Sequence, residues 1–247
     1  MGERRFNLDI KLYRSHQMLE DSHWWFVGRR HILGAIAERF KLFVPECQVL
    51  DVGCGTGGTL RWLKDRGIKC FGFEPERWVV KRAVKSGLNV QYGRLPGEVP
   101  AYTKLFDVIL SLDVLEHIAE DDLSLDSMHT LLRSGGHLML TVPSFQFLWS
   151  THDILNHHYR RYRLKHLKTM LEEHGFQVRY ASYYNTFLFP AIAVLRKMKL
   201  QRSGDLHSTV PWLNTILTGI FAAESNFIQS GWRFPFGVSL VFVARKE

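Results

Sequence analysis

The stretch Val-Leu-Asp-Val-Gly-Cys-Gly-Thr-Gly-Gly at residues 49–58 decides the fold predicted for this chain. Its apolar beginning is typical of a buried parallel strand. Residues 59–64, Thr-Leu-Arg-Trp-Leu-Lys, continue it as a helical pattern. A strand, a glycine loop and a helix in this order let the backbone approach a nucleotide-like ligand closely, because glycine lacks a Cβ and permits positive φ. Asp51 lies inside the apolar run. A carboxylate is rarely buried without a partner, so Asp51 is a candidate functional residue.

The glycines of this loop fit two classes of cofactor. Gly53, Gly55 and Gly58 have the G-x-G-x-x-G spacing of dinucleotide-binding proteins. The acid-x-Gly-x-Gly-x-Gly pattern at residues 51–57 resembles the first motif of class I S-adenosylmethionine (SAM)-dependent methyltransferases. That resemblance implies contacts to SAM from Asp51, Gly53, Cys54, Gly55 and Gly57.

Size and composition agree with a globular α/β protein. The chain has 247 residues, of which 46% are hydrophobic, and this suits one α/β domain. Three separated cysteines without metal-ligand spacing indicate a reducing compartment. The beginning of the chain lacks the apolar segment of a signal peptide, so a cytoplasmic protein is expected. The net charge of +8 fits either an anionic partner or solubility alone.

Short apolar strands alternate with helices, which predicts a parallel sheet with right-handed crossovers. The predicted strands are residues 48–52, 68–73, 88–92, 106–112, 137–142, 176–183 and 237–245. With the antiparallel last strand that the resemblance implies, the expected fold is a Rossmann-like, doubly wound, mostly parallel seven-stranded α/β sheet. We expect a single domain over residues 1–247, divided into a helical lead-in or flap at 1–45, a core at 46–183, a helical insertion at 184–236 and the last strand at 237–247.

Acidic and apolar residues at strand ends complete the predicted cofactor site. Glu74 ends the second strand, where an acid accepts hydrogen bonds from ribose hydroxyls. Residues 106–117 resemble the Phe-Asp-x-Val and Leu-Glu-His motif of the same family, which implies that Leu112 and Asp113 line the sulfonium pocket. The same resemblance implies an acid after the third strand that binds the adenine amino group. No acid follows that strand in this chain, so adenine is expected to contact backbone groups and apolar side chains around Leu95.

Residues 144–163 form the predicted acceptor site, because aromatic, histidine and arginine side chains are dense there. Histidine can take a proton from a hydroxyl near neutral pH, and arginine binds phosphate or carboxylate. The alternative is a basic, partly buried helix. The candidate catalytic residues are His152, His157 and His158, with Asp153 to orient one of them; the candidate substrate residues are Trp149, Arg160, Arg161 and Tyr162. The adjacent histidines have no third ligand, so no metal is expected.

A finer resemblance concerns the acceptor. Trp-Ser-x-His-Asp at 149–153, His-His-x-Arg-Arg-Tyr at 157–162 and Trp-Trp-Phe at 24–26 are similar to a bacterial methyltransferase subgroup linked with glycan or lipid-carrier biosynthesis. The resemblance implies a small-molecule, glycan or lipid-linked acceptor, for which we expect methylation at a hydroxyl oxygen.

The insertion contains two apolar helical stretches, at 186–200 and 211–232, joined by a polar linker at 201–207 that is predicted to be mobile. It carries five basic residues against two acidic ones. An apolar face with a basic margin can lie on an anionic membrane, which would make residues 186–232 a peripheral membrane contact. The same helices can instead pack on the sheet or on a second subunit.

Three alternatives to this function stay open. The glycine spacing and Glu74 also suit an NAD-dependent oxidoreductase. The net charge suits an RNA methyltransferase, although the Asn/Asp-Pro-Pro-Tyr element is missing after the fourth strand and nucleic acid is not an expected partner. A protein that binds SAM without catalysis would carry the same cofactor motifs.

Overall fold

A computed structural model describes residue 13 and residues 17–198 and 209–247. The predicted linker at 201–207 lies outside the described residues. Within these ranges seven strands form one sheet in the order β3-β2-β1-β4-β5-β7-β6. The strands are β1 (Gln48–Val52), β2 (Lys69–Glu74), β3 (Val90–Tyr92), β4 (Phe106–Leu112), β5 (Leu132–Pro143), β6 (Phe176–Tyr184) and β7 (Ser239–Lys246). β7 runs antiparallel to both of its neighbours, β5 and β6, which confirms the predicted fold class.

Helices connect the strands. They are α1 (Trp24–Phe40), α2 (Gly58–Lys64), α3 (Arg77–Lys85), α4 (Asp121–Leu131), α5 (Thr151–Leu155), α6 (Leu164–Glu173), α7 (Phe189–Lys197) and α8 (Pro211–Gln229). The chain moves outward from β1 through β2 to β3 and then returns to β4 on the other side of β1. The order of the strands therefore reverses between β1 and β4, and open α/β sheets bind ligands at the carboxyl ends of such a pair.

The central strands are apolar along their length because both faces of the sheet are covered. Val49, Leu50, Ile109 and Leu110 are all buried. The fifth strand begins earlier than predicted, at Leu132, because that residue pairs with Phe106 before the ladder shifts register. This correction leaves the carboxyl end of β5 where it was expected.

The α8 helix of the insertion packs on α1. Gly28 permits the contact because it has no side chain. A Cβ at this position would clash with Phe221, at 2.3 Å from its Cδ1. The Phe221 ring is in turn stacked on Tyr184 at the end of β6, at 6.0 Å between centroids. None of the helices that the structure describes is long and apolar enough to cross a bilayer.

Candidate active site

A large cavity opens at the carboxyl ends of β1, β2 and β4. Its volume is about 1210 Å³. Single ligands of drug size occupy pockets of about 300–1,000 Å³, so the cavity has room for a cofactor and an acceptor together. Its lining extends from the glycine loop and Glu74 at one end to α5 and α7 at the other.

The glycine loop presents its backbone to this cavity. Gly55 has a φ of +52°, and a Cβ added there would meet nothing within 4 Å, because it would point into open space. Gly53 and Cys54 also line the cavity. Gly57 lies outside the cavity lining and has a different role. A Cβ at Gly57 would lie 2.3 Å from Cδ1 of Leu88, so the absence of a side chain allows the loop to pack on the protein interior.

Glu74 holds the loop from the end of β2. Its Oε2 accepts a hydrogen bond of 2.9 Å from the Gly55 N–H. Its Oε1 accepts from the hydroxyl of Tyr13 at 2.7 Å and from the N–H of Glu76 at 3.2 Å. A carboxylate has about four acceptor positions, so Oε2 can accept one further hydrogen bond from a hydroxyl in the cavity. Burial raises the pKa of Glu74, and the three hydrogen bonds oppose that shift.

Two further carboxylates and an arginine lie between the ends of β1 and β4. Arg29 of α1 forms an ion pair with Asp113, with 2.5 Å between Nη1 and Oδ2. Asp113 has a φ of 58°, a left-handed conformation that is uncommon for a residue other than glycine and is typical of functional positions. Burial raises the pKa of Asp51 to about 7, against the opposing effect of Arg29. Leu95 and Leu112 provide apolar parts of the same wall.

A buried ionic network lies at the opposite end of the cavity. Asp153 is fully buried, and its Oδ1 accepts from Arg161 Nε at 2.8 Å and from His158 Nδ1 at 2.9 Å. Burial alone would raise the pKa of Asp153, but the hydrogen bonds from His158 and Arg161 hold it below its usual range. Because an ionised carboxylate only accepts hydrogen bonds, it fixes a hydrogen of His158 on Nδ1, so that in the neutral form of this imidazole the lone pair is on Nε2.

His152 also contacts the cavity but differs chemically from His158. Burial lowers the pKa of His152 to about 3, and the positive charge of Arg196 acts in the same direction. The imidazole is therefore neutral at physiological pH. Its Nδ1 lies 3.3 Å from the amide nitrogen of Asn156, which favours the tautomer that carries hydrogen on Nε2. His152 is thus suited to donating a hydrogen bond and poorly suited to accepting a proton.

Several residues predicted for the acceptor site lie outside the cavity lining. His157 is exposed and has a φ of 55°, which turns it away from the cavity that His158 contacts. Asp121 binds both Arg160, at 2.5 Å, and the hydroxyl of Tyr162, at 2.7 Å. Trp149 is also outside the lining, as is Asp153, which acts only through its partners. Arg161 does line the cavity, but its Nε is already used by Asp153.

Other lining residues were not among the predicted site residues. They include Tyr13, Arg29 and Arg196, each from a segment distant in sequence from the residues it meets. A cluster of potential metal ligands was missed too: one ligand atom each from Glu116, His117 and His158 lies within 4.8 Å of the others. Glu116 and His117 are neighbours in the Leu-Glu-His element. The sequence therefore shows two of the three potential ligands together, but it does not show that His158 lies next to them.

Comparison with known proteins identifies the family. A family model described as "Methyltransferase domain" matches residues 26–181, which is more than half of the chain, so the chain belongs to this family. Its class is that of the SAM-dependent methyltransferases. Over 96% of its length the chain is also similar to a SAM-dependent methyltransferase from Archaeoglobus fulgidus, covering 100% of that chain with a TM-score of 0.57 at 17% identity.

Curated relatives match parts of the chain. It is 28% identical to a ubiquinone biosynthesis O-methyltransferase from Pectobacterium atrosepticum over 44% of the chain and 47% of that protein. It is 26% identical to a protein from Mycolicibacterium smegmatis named "Probable S-adenosylmethionine-dependent methyltransferase", over 65% of the chain and 62% of that protein. The matches thus span between about half and three fifths of these relatives' lengths.

Proposed function

We propose that this protein, working as a single methyltransferase domain, transfers the methyl group of SAM to a hydroxyl oxygen of an acceptor held in the same cavity. One observation carries the proposal. A single cavity contains both the glycine loop with Glu74 and, at the other end, an imidazole oriented by a buried carboxylate. The proposed donor site and the proposed proton-accepting group thus line the same cavity, as transfer to a hydroxyl requires.

The residues at the loop end fit SAM. Gly55 leaves open space where a side chain would otherwise project, and Oε2 of Glu74 retains an acceptor position for a ribose hydroxyl. Leu95 and Leu112 offer apolar contact to the adenine and to the methyl-bearing end, respectively. Asp51 and Asp113 supply carboxylates near the cationic groups of SAM. When bound, SAM provides an electrophilic methyl group on its sulfonium.

His158 is the proposed general base, and Asp153 positions it. The Nε2 lone pair of His158 would accept the proton of the acceptor hydroxyl, and the oxygen would take the methyl group whose bond to the sulfonium of SAM breaks, leaving S-adenosylhomocysteine. The imidazolium that forms is stabilised by the ionised Asp153 through Nδ1. His152 donates a hydrogen bond that orients the acceptor. His157, which is exposed, has no part in the reaction.

An acceptor with an apolar tail, including a lipid-linked one, suits the surface beside the cavity. Leu195 of α7 lines the cavity and is still 45% exposed. Val194 and Met198 near it, and Trp212 and Ile216 on α8, are also exposed. We propose that these apolar side chains, with Lys197 as a basic neighbour, contact anionic membranes.

A turnover assay tests the reaction. SAM is incubated with a panel of phenols and polyprenyl phosphates, and S-adenosylhomocysteine and the methylated product are measured by mass spectrometry. We expect product from at least one acceptor, and at least a hundredfold loss of turnover in His158→Ala, because general bases contribute about 10²–10⁴-fold. His157→Ala is the matched control and keeps full activity. Cofactor binding without turnover of any acceptor would instead indicate a SAM-binding protein without catalysis.

Vesicle sedimentation tests the membrane contact separately. The wild-type protein should sediment with anionic vesicles and much less with neutral ones, and Trp212→Ser should weaken this binding. Leu105→Ser is the control, because Leu105 is similarly exposed but directly precedes β4, at the amino end of that strand and not at the carboxyl end where the cavity opens. Equal binding of both variants and the wild type would contradict the proposed surface.

A further inference from the structure

Arg196 is a cavity residue whose charge has no counterpart in the network around it. It belongs to α7 and lines the cavity together with His152 and Arg161. Its Nη1 donates a hydrogen bond of 3.1 Å to the carbonyl oxygen of Leu148. Its Nε is buried and has no hydrogen-bond partner among the described residues. The edge of the guanidinium that includes Nε is therefore unused by the protein.

Two other arginines that line the cavity, Arg29 and Arg161, are each paired with a carboxylate, whereas Arg196 is not. Arg29 forms an ion pair with Asp113, and Arg161 forms one with Asp153. Arg196 has no ion pair with any carboxylate in the part of the chain that the structure describes. Asp153 is the carboxylate whose charge acts on it, and the oxygens of Asp153 already accept from Arg161, His158 and Ser150.

The remaining groups at this end of the cavity do not neutralise Arg196. Burial lowers its pKa to about 10, so the guanidinium stays protonated at neutral pH. Glu116, a buried acid that also lines the cavity, forms no ion pair with Arg196. His152 is neutral. Since Asp153 balances Arg161, one positive charge is left over in a partly desolvated place, and such a charge is costly unless a ligand pairs with it.

We propose that Arg196 and His152 bind an oxyanion, a carboxylate or a phosphate, carried by the acceptor. The Arg196 guanidinium donates charge-assisted hydrogen bonds to such a group, and the N–H of His152 supplies a further donor. This inference rests on the proposed function, since it assigns a chemical class to the acceptor. It also replaces Arg160 and Arg161, the anion-binding arginines expected from the sequence, because both are consumed by Asp121 and Asp153.

Calorimetry with three small probes tests the proposal. Phenyl phosphate, 4-hydroxybenzoate and the neutral 4-hydroxybenzamide are titrated into the protein alone and into the protein saturated with S-adenosylhomocysteine. We expect at least one anion to bind about tenfold or more tightly than the amide, as hydrogen bonds to charged groups imply. The anion that binds more tightly shows whether the acceptor resembles a phosphate ester or a carboxylate.

Substitutions locate the site. Arg196→Met should abolish the preference for anions, and Arg196→Lys should retain part of it, because lysine keeps the charge but loses the planar fork. Lys165→Met removes one positive charge from an exposed position outside the cavity lining and should keep the whole preference. Arg196→Met should fold normally, since an apolar side chain in place of a buried unpaired charge is neutral or stabilising; thermal unfolding checks this.

Two results would overturn the proposal: equal affinity of the wild-type protein for the anions and the amide, or an anion preference that survives in Arg196→Met. The proposed function fails differently, by absence of S-adenosylhomocysteine binding. If S-adenosylhomocysteine does not bind but the anion preference still depends on Arg196, the oxyanion site is supported and the assignment of SAM as the cofactor is wrong.

Discussion

Gly55→Ala separates the two roles of the glycine loop, its backbone conformation and its closeness to the ligand. Gly55 has a φ of +52°, and an added methyl group would project into open cavity without touching the protein. The left-handed conformation costs about 1–2 kcal/mol for a residue with a Cβ. For a chain of this size that corresponds to a loss of roughly 2–8 °C in Tm. The same methyl group should lower the affinity for S-adenosylhomocysteine at least tenfold, or about 1.4 kcal/mol.

The chain offers a matched control for this substitution. Gly67 has a φ of +73°, its Cβ would also meet nothing within 4 Å, and it lies outside the cavity lining. Gly67→Ala should therefore show a similar loss of Tm with unchanged affinity for S-adenosylhomocysteine. Differential scanning calorimetry and isothermal titration calorimetry measure the two quantities. If Gly55→Ala and Gly67→Ala bind S-adenosylhomocysteine as tightly as the wild type, the loop does not approach the cofactor and the reasoning is refuted.

Three further predictions follow from the site. Asp153→Asn should lower the free energy of unfolding by about 3–5 kcal/mol in urea, because it leaves the buried Arg161 without its carboxylate; the exposed Asp65→Asn should have almost no effect, and equal effects would argue against the ion pair. Because the pKa of Asp51 is raised to about 7 from 3.8, the folded state binds this proton more tightly than the unfolded state, so Asp51 makes stability fall as pH rises between about 4 and 7. Asp51→Asn should flatten that fall in urea unfolding at pH 5 and pH 8, and an unchanged slope would contradict the raised pKa. A chelator should leave turnover unchanged, since the raised pKa of Glu116 favours an uncharged carboxyl; restoration of a lost activity by Mg²⁺ or Zn²⁺ would show that Glu116, His117 and His158 hold a cation.

The fold could be predicted because its signals are local. Each buried strand is a short apolar run, and the alternation of strands with helices allows few arrangements other than a doubly wound sheet. The ends of the strands were harder to predict, since the start of β5 depends on the pairing of Leu132 with Phe106 in the neighbouring strand. Tertiary structure decides which residues of two strands pair, and a local sequence pattern does not contain that information.

The acceptor end of the site shows where local patterns fail. Residues 149–162 are dense in reactive side chains, but a short helix and the left-handed His157 send neighbouring side chains to different environments. His152 and His158 contact the cavity, while His157 is exposed. Arg196 comes from a segment more than thirty positions later, and its importance depends on which other arginines are already paired. Only the packed structure gives that information.

The central claim is that the cavity beside the glycine loop binds SAM, and titration of the wild-type protein with S-adenosylhomocysteine and with NAD in an isothermal calorimeter tests it most directly. We expect S-adenosylhomocysteine to bind with one-to-one stoichiometry, and NAD to give no heat of binding. Binding of NAD without binding of S-adenosylhomocysteine would contradict the account.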